Sequence, residues 1–243
     1  MSTHCHCPQC GHGNVVKNGF VKDKQRFKCK SCQYQFTNLS KERGKPLWMK
    51  LEAVLLYMSG MSMNATAKLL GVSTQSVLNW IRDFGEANYE KPAPDSAIVV
   101  ELDELWHFLQ GKKNKLWLWK AYDRVTGRLI DWELGNRDSQ TLSRLLERLA
   151  KWKVTVYCTD DWRPYQQLLD EHPDAFHGIS KRETVGIERN NSDNRHWFAR
   201  FHRRMKVVSR SAHMIDITMA IFAKFRVNGN TEPLRDWRLS LLS

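Results

Sequence analysis

The sequence predicts a multidomain chain, α+β and then α/β: a small β ribbon, a helical unit, and a larger domain built on a mixed sheet. Three observations predict it. Two Cys-X-X-Cys pairs stand near the N-terminus, an amphipathic helical period runs from residue 46 to 84, and from Ala97 the pattern turns to extended segments interspersed with helices. At 243 residues the chain is long enough for about two compact units.

Composition narrows the function classes. Hydrophobic residues make up 42% and there are ten tryptophans, so the chain builds a sizeable core and is not disordered. The longest apolar run noted, Ala53 to Met58, falls far short of the roughly 18 residues of a membrane span. The N-terminal residues lack a basic-then-apolar signal pattern, so a cytoplasmic protein with no membrane partner is expected. Lys and Arg number 38 against 26 Asp and Glu, a net charge of +12. That balance favours a polyanionic partner, because Lys and Arg release condensed counterions when they neutralise phosphates.

Residues 1–40 read as a zinc ribbon. Cys7 and Cys10, and Cys29 and Cys32, each leave two residues between thiols, a turn tight enough for both sulfurs to reach one tetrahedral ion. The stretch between the pairs, from Val15 to Phe27, reads as a short hairpin. So small a segment has almost no core, and structural Zn²⁺ would supply most of its folding energy. Cys5, His4, His6 and His12 are alternative ligands with poorer spacing, and Cys158 reads as a small core residue. Lys17, Lys22, Lys24, Arg26, Lys28 and Lys30 face a single acid, Asp23, which suits a phosphate backbone.

Residues 45–88 read as a helix-turn-helix. Leu51, Val54, Leu55 and Met58 recur on one helical face. Ser62 caps a second helix with Ala65, Ala67, Leu69 and Leu70 that stops at Gly71. Ser73 caps a third with Val77, Trp80, Ile81 and Phe84 on its apolar side. This arrangement presents a recognition helix to the major groove of double-stranded DNA. Its polar face carries Thr74, Gln75, Ser76, Asn79 and Arg82, side chains that bond base edges or phosphates. Residues 89–97, with Pro92 and Pro94, read as a linker.

Residues 98–243 form the third part. Strands are expected at Ile98 to Phe108, Lys115 to Tyr122 and Arg128 to Leu134. A helix follows from Ser139 to Lys151, then a strand at Val154 to Cys158, a helix across Tyr165 to Leu169, a strand near Phe176 to Ser180, and a long helix from about Ile187. Three strands, helix, strand, helix, strand, helix is the order of an RNase H-like α/β domain, with the fourth strand beside the first. That order would bring together an acid of the first strand, one at the end of the fourth and one on the late helix. Adjacent carboxylates raise each other's pKa unless a divalent cation neutralises them, and paired Mg²⁺ or Mn²⁺ ions support phosphoryl transfer. Glu101, Asp103 and Glu104 compete for the first position, with Glu101 and Asp103 on one face of the strand and Glu104 on the other. Asp160 and Asp161 compete for the second. Glu188 opens the late helix, with Arg195 seven residues on and on the same face. Residues 181–210 hold nine Lys and Arg against three acids, which suits a groove that tracks DNA, while Trp197, Phe198 and Phe201 anchor the helix to the core.

These segments together resemble the transposases of insertion sequences, specifically the IS-one family. The resemblance rests on Cys7-Pro-Gln-Cys10-Gly with Cys29-Lys-Ser-Cys32, on Gly71-Val-Ser73-Thr-Gln-Ser-Val77, on Val100-Glu-Leu-Asp-Glu-Leu-Trp106, on Thr159-Asp160-Asp161-Trp162 and on Ile187-Glu188-Arg-Asn-Asn-Ser-Asp-Asn-Arg195. It covers nearly the whole chain, and it implies a zinc ribbon and helix-turn-helix joined to an RNase H-like DDE catalytic domain. Carried over, it makes Asp103, Asp160 and Glu188 the Mg²⁺ or Mn²⁺ triad and Arg195 a DNA-contacting or transition-state-supporting residue. The family usually has Gly after the second Asp, where this sequence has Asp161. The activity implied is cleavage at the ends of a transposable element and strand transfer into target DNA, in a homodimer or larger synaptic assembly associated with the nucleoid of a prokaryote. The alternative is a regulator derived from such an enzyme that keeps only DNA binding.

Overall fold

The structure, a computed structural model, describes residues 6–37, 45–170, 175–202, 208–232 and 234. The chain divides into two compact units, Met1–Pro46 and Leu47–Ser243.

The first unit is a three-stranded antiparallel sheet of β1 (Val15–Val21), β2 (Lys24–Cys29) and β3 (Gln35–Thr37) in that order. Lys22 and Asp23, both with positive φ, close the first hairpin, the backbone that a two-residue turn needs to match strand twist. Apolar packing is slight. Phe27 and Phe36 stack at 6.0 Å between ring centroids, while Phe20 is 71% exposed.

The second unit opens with α1 (Leu47–Met58), α2 (Met63–Leu70) and α3 (Thr74–Ala87). The caps are those expected: Ser62 Oγ accepts from Ala65 N at 3.2 Å, Ser73 Oγ accepts from Ser76 N at 3.0 Å, and Gly71 ends α2 at φ 62°. Leu55, expected on the apolar face of α1, is exposed, as are Ala65 and Leu69 on α2. On α1 the buried stripe is Leu51, Ala53, Val54, Tyr57 and Met58. The Tyr57 hydroxyl bonds Thr218 Oγ1 at 2.8 Å, and Leu55 falls outside the stripe.

The remaining chain builds a five-stranded sheet of β4 (Val99–Phe108), β5 (Lys115–Asp123), β6 (Arg128–Gly135), β7 (Val156–Thr159) and β8 (Phe176–Ile179), in the order β6-β5-β4-β7-β8. The first three strands are antiparallel, and β7 and β8 add in parallel beside β4, the RNase H-like order. Val100, Leu102, Trp119 and Ile130 on one face pack on α4 (Ser139–Leu149) and α5 (Arg163–Leu169). The opposite face, through Leu105, Leu118, Leu129 and Trp132, shares a core with α1, α3 and α7 (Ala212–Ile221), and α6 (Val185–Trp197) lies on the same side. Sequence reading did not place α7, although Met214 to Ala223 is mostly apolar. Its fit to α3 is close: a Cβ on Gly85 would lie 2.2 Å from Ile217 Cγ2. Tyr89 and Lys91, in the stretch expected as a linker, bond Asp216 and Asp131.

Candidate functional site

The three acids of β4 separate by environment. Glu101 is 1% exposed; its carboxylate accepts from Arg124 Nε at 2.6 Å and from Ile187 N at 2.7 Å, so it ties β4 to the start of α6. Asp103, next on that face, accepts from Asn191 Nδ2 at 2.6 Å. Burial, followed by the neighbouring charges of Glu104 and Asp160, raises its pKa to about 6. Glu104 points to the opposite face and accepts from Arg137 Nε at 2.6 Å and from the Tyr165 hydroxyl at 3.1 Å. Burial raises its pKa against the opposing pull of Arg137.

The β4–β7 register pairs Glu101 with Cys158, so continuing it two residues sets Asp160 level with Asp103. Asp160 is half-buried and accepts from Trp162 N at 3.2 Å. Asp161 is exposed and accepts from Gln166 Nε2 at 2.8 Å. Their surroundings therefore differ, with the charge of Asp160 bearing on both Asp103 and Glu104.

Glu188, Asn191, Ser192 and Arg195 recur on one face of α6 and, with Asp103 and Glu104, line an open cleft of about 570 Å³. Asp103, Glu188 and Arg195 thus meet at one cleft, with Asp160 beside Asp103. Sequence reasoning missed Lys120, fully buried on β5 directly across from Asp103. Its Nζ donates to the side-chain oxygens of Asn190 and, at 2.9 Å, Asn191. Burial lowers its pKa to about 7, against the pull of Asp103. The signals available were a lysine inside the apolar run from Leu116 to Tyr122 and the Asn190-Asn191 pair between Glu188 and Arg195. Asp103 and Glu188 bring to one cleft the hard carboxylate oxygens that a divalent cation takes. Among the described residues, Asp103, Asp160 and Glu188 do not come together as three ligand atoms within reach of one ion, and Asp160 lies outside the cleft lining.

Among the described residues, only the four cysteines bring three or more metal-capable atoms within mutual reach. The Sγ atoms of Cys7, Cys10, Cys29 and Cys32 all lie within 4.8 Å of one another. Cys7–Cys32 and Cys10–Cys29 are each 3.6 Å apart, close to the roughly 3.8 Å edge of a tetrahedral zinc thiolate. The backbone N–H of Cys32, joined by that of Ser31, draws Cys29 down to about 6, while Cys10 and Cys32, crowded by the neighbouring sulfurs and by burial, are raised, so the first thiolate of the cluster forms at Cys29. The set fits zinc. His12 contacts the Cys10 carbonyl at 3.3 Å, while His4 and Cys5 lie outside the described residues.

On α3, Gln75 Nε2 donates to Asn79 Oδ1 at 2.8 Å, and Arg82 donates to the same oxygen. Thr74 bonds Asn64 at 3.3 Å, and the Ser76 hydroxyl bonds that of the cap Ser73 at 2.9 Å. Thr74 and Gln75 are exposed, and Ser76, Asn79 and Arg82 are partly so.

Comparison with known proteins matches two segments of the chain. The IS1 transposase family pattern matches residues 96–227, and a helix-turn-helix domain pattern matches residues 49–88. The chain is 34% identical over 126 residues to the insertion element IS1 2 protein InsB of Escherichia coli K12, covering 52% of this chain and 74% of that protein. It is 36% identical over 119 residues to the insertion element IS1 protein InsB of Shigella flexneri, covering 49% and 88%. The catalytic core domain of BIV integrase aligns with 61% of this chain and 100% of its own at 11% identity and a TM-score of 0.39, a loose likeness from which nothing further follows. With its family pattern spanning more than half of its length, the chain belongs to the IS1 transposase family.

Proposed function

We propose that this transposase binds the terminal inverted repeats of its own insertion sequence, cuts DNA strands at the element ends and joins them to target DNA, using Asp103, Asp160 and Glu188 as its metal-binding triad. The observation that carries the reading is the cleft where Asp103 of β4 faces Glu188 and Arg195 of α6, with the charge of Asp160 acting on Asp103.

When bound by these carboxylates, Mg²⁺ or Mn²⁺ would activate the attacking oxygen and neutralise charge at phosphorus. The chain's own residues do the positioning. Asn191 holds the Asp103 carboxylate, and Lys120 holds the Asn191 amide. Arg195 offers a guanidinium on the cleft wall to a phosphate oxygen next to the scissile bond. Both cleavage and joining are in-line displacements, so no protein nucleophile is needed.

In this reading Thr74, Gln75, Asn79 and Arg82 contact the terminal repeat, Ser76 mainly secures the start of the recognition helix, and the zinc ribbon adds phosphate contacts. Because two element ends must be held together, the working form is a dimer or larger assembly on the nucleoid. Among the described residues no helix is long and apolar enough to cross a membrane.

The test uses labelled DNA from the flanks of the protein's own gene, with Mg²⁺ or Mn²⁺. Nicking at the element ends and joining to a plasmid are expected from the wild type and not from Asp160→Asn, with end binding kept by both. Tight end binding without cleavage by the wild type, in assembled complexes, would replace this reading with a DNA-binding regulator.

A further inference from the structure

We infer that the sheet face beside the cleft is a stacking platform for unpaired bases of a single DNA strand, built from Trp106, Phe108 and Trp117 and flanked by Lys115 and Arg137. It deepens the proposed function and takes its role from that reading, although binding itself can be measured without cleavage.

Glu104, Trp106 and Phe108 alternate onto one face of β4, and Trp117 of β5 pairs directly with Trp106. Near Leu102 and Trp119 this face is covered by α4 and α5. Farther along, the Trp106 ring emerges 42% exposed, 4.9 Å from that of Phe108. An apolar ring left in solvent on a sheet face is costly unless something covers it.

The charges around the rings select the occupant. Lys115 Nζ lies 4.9 Å from the Trp106 ring centre, and Arg137 sits 5.2 Å from that of Trp117 and 5.0 Å from that of Trp162. Lys112 and Lys113 are exposed in the adjoining β4–β5 turn, and no acid occurs from Leu105 to Tyr122. One exposed ring beside two partly exposed ones, all among cations, suits a polyanion with accessible π-faces. A single strand offers both, whereas a duplex hides its base faces in its own stack. The long stem of Lys115 lets its ammonium move to the flanking phosphate when a base takes its place over Trp106.

The platform is continuous with the cleft. Arg137, over the rings of Trp117 and Trp162, also donates to Glu104, which lines the cleft. A strand end freed there would have its nearest bases within reach of the aromatic face.

The experiment measures fluorescence anisotropy of the full-length protein without divalent metal. Its probes are a labelled oligo(dT) of about fifteen nucleotides, an abasic strand of equal length, and a duplex of the same length. Wild type should bind oligo(dT) more tightly than the abasic strand. Trp106→Ala and Trp106→Leu should weaken oligo(dT) binding by roughly five- to a hundredfold, the range for losing one base–aromatic stack, and leave duplex binding within about twofold. Trp106→Phe should keep most of the affinity. If Trp106→Ala fails to fold by thermal melting, the Phe and Leu variants decide between a ring and mere apolar bulk. Equal wild-type binding of oligo(dT) and the abasic strand, an unchanged affinity in Trp106→Leu, or equal losses for duplex and single strand would each overturn the proposal. None of these outcomes touches the triad, which the Asp160→Asn cleavage assay tests separately.

Discussion

Lys120 and Asp103 face each other across β4 and β5, and a single amide links them: Asn191 accepts from Lys120 Nζ at 2.9 Å and donates to Asp103 Oδ2 at 2.6 Å. The lysine fixes which end of the amide points to it, so the NH₂ must face the carboxylate. Asp103 is thereby held at the cleft before any ligand arrives.

Asn191→Ala breaks both bonds. A hydrogen bond to a charged group contributes about 1.5–3 kcal/mol, so cleavage of element-end DNA should fall roughly tenfold or more, with end binding within about twofold. Single-turnover cleavage and anisotropy on the same DNA separate the two effects. Unchanged cleavage would mean that Asp103 needs no such holder.

Glu101 is assigned here to structure. Its carboxylate joins Arg124 to the backbone of Ile187, and Gly186 allows the approach, because a Cβ there would lie 2.9 Å from Glu101 Oε2. Glu101→Ala should destabilise the second unit by less than the roughly 3–5 kcal/mol typical of breaking a buried pair, since the Arg124 side chain is 36% exposed. Gly186→Ala should cost about 1–3 kcal/mol through overpacking. Denaturant unfolding measures both. A Glu101→Ala protein that unfolds like wild type yet cannot cleave would make Glu101 a catalytic acid instead.

Legibility in the sequence followed the range of the interactions. Ser62, Gly71 and Ser73 act within a few residues of themselves, so the caps of α2 and α3 could be read directly. The succession of strands and helices was equally accessible from alternation and helical period, and the place of the fourth strand beside the first came from the fold which that succession matches. What escaped depends on contacts distant in sequence. Tyr57 finds its hydroxyl partner in Thr218, and Lys120 has meaning only once α6 brings Asn190 and Asn191 over it. Alternation placed Glu101 and Asp103 on one face correctly, but only the partners Arg124 and Asn191 distinguish a staple from a cleft-lining acid.

The cysteine cluster should hold one zinc ion per chain. With so little apolar packing in the first unit, removing metal should unfold that unit and leave the second intact, because the second builds its core clusters, among the described residues, from its own side chains. Metal release followed with a colorimetric chelator should give a stoichiometry near one, abolished by Cys29→Ser. The main melting transition should then move by no more than about 2 °C, which is about 0.5–1 kcal/mol in a unit of this size. A collapse of that transition would show that the ribbon supports the whole molecule.

The raised pKa of Asp103, about 6, gives divalent binding a defined pH dependence. Its unfolded value is near 3.8, so the protonated group's contribution to ion-free stability is complete below that pH and is lost as pH rises through about 6. A cation needs the carboxylate and competes with the proton. Mn²⁺ affinity, followed by electron paramagnetic resonance, should therefore be nearly flat above pH 7 and fall by up to about tenfold per unit below 6. Asp160→Asn makes the assignment specific. It removes one of the charges that push Asp103 upward, so the break should shift to lower pH even as overall affinity drops with the lost ligand. Glu104→Gln should move the break the same way, since the charge of Glu104 weighs more on Asp103 than that of Asp160. A break that moves in Glu104→Gln but stays in place in Asp160→Asn would show that Asp160 does not bear on Asp103.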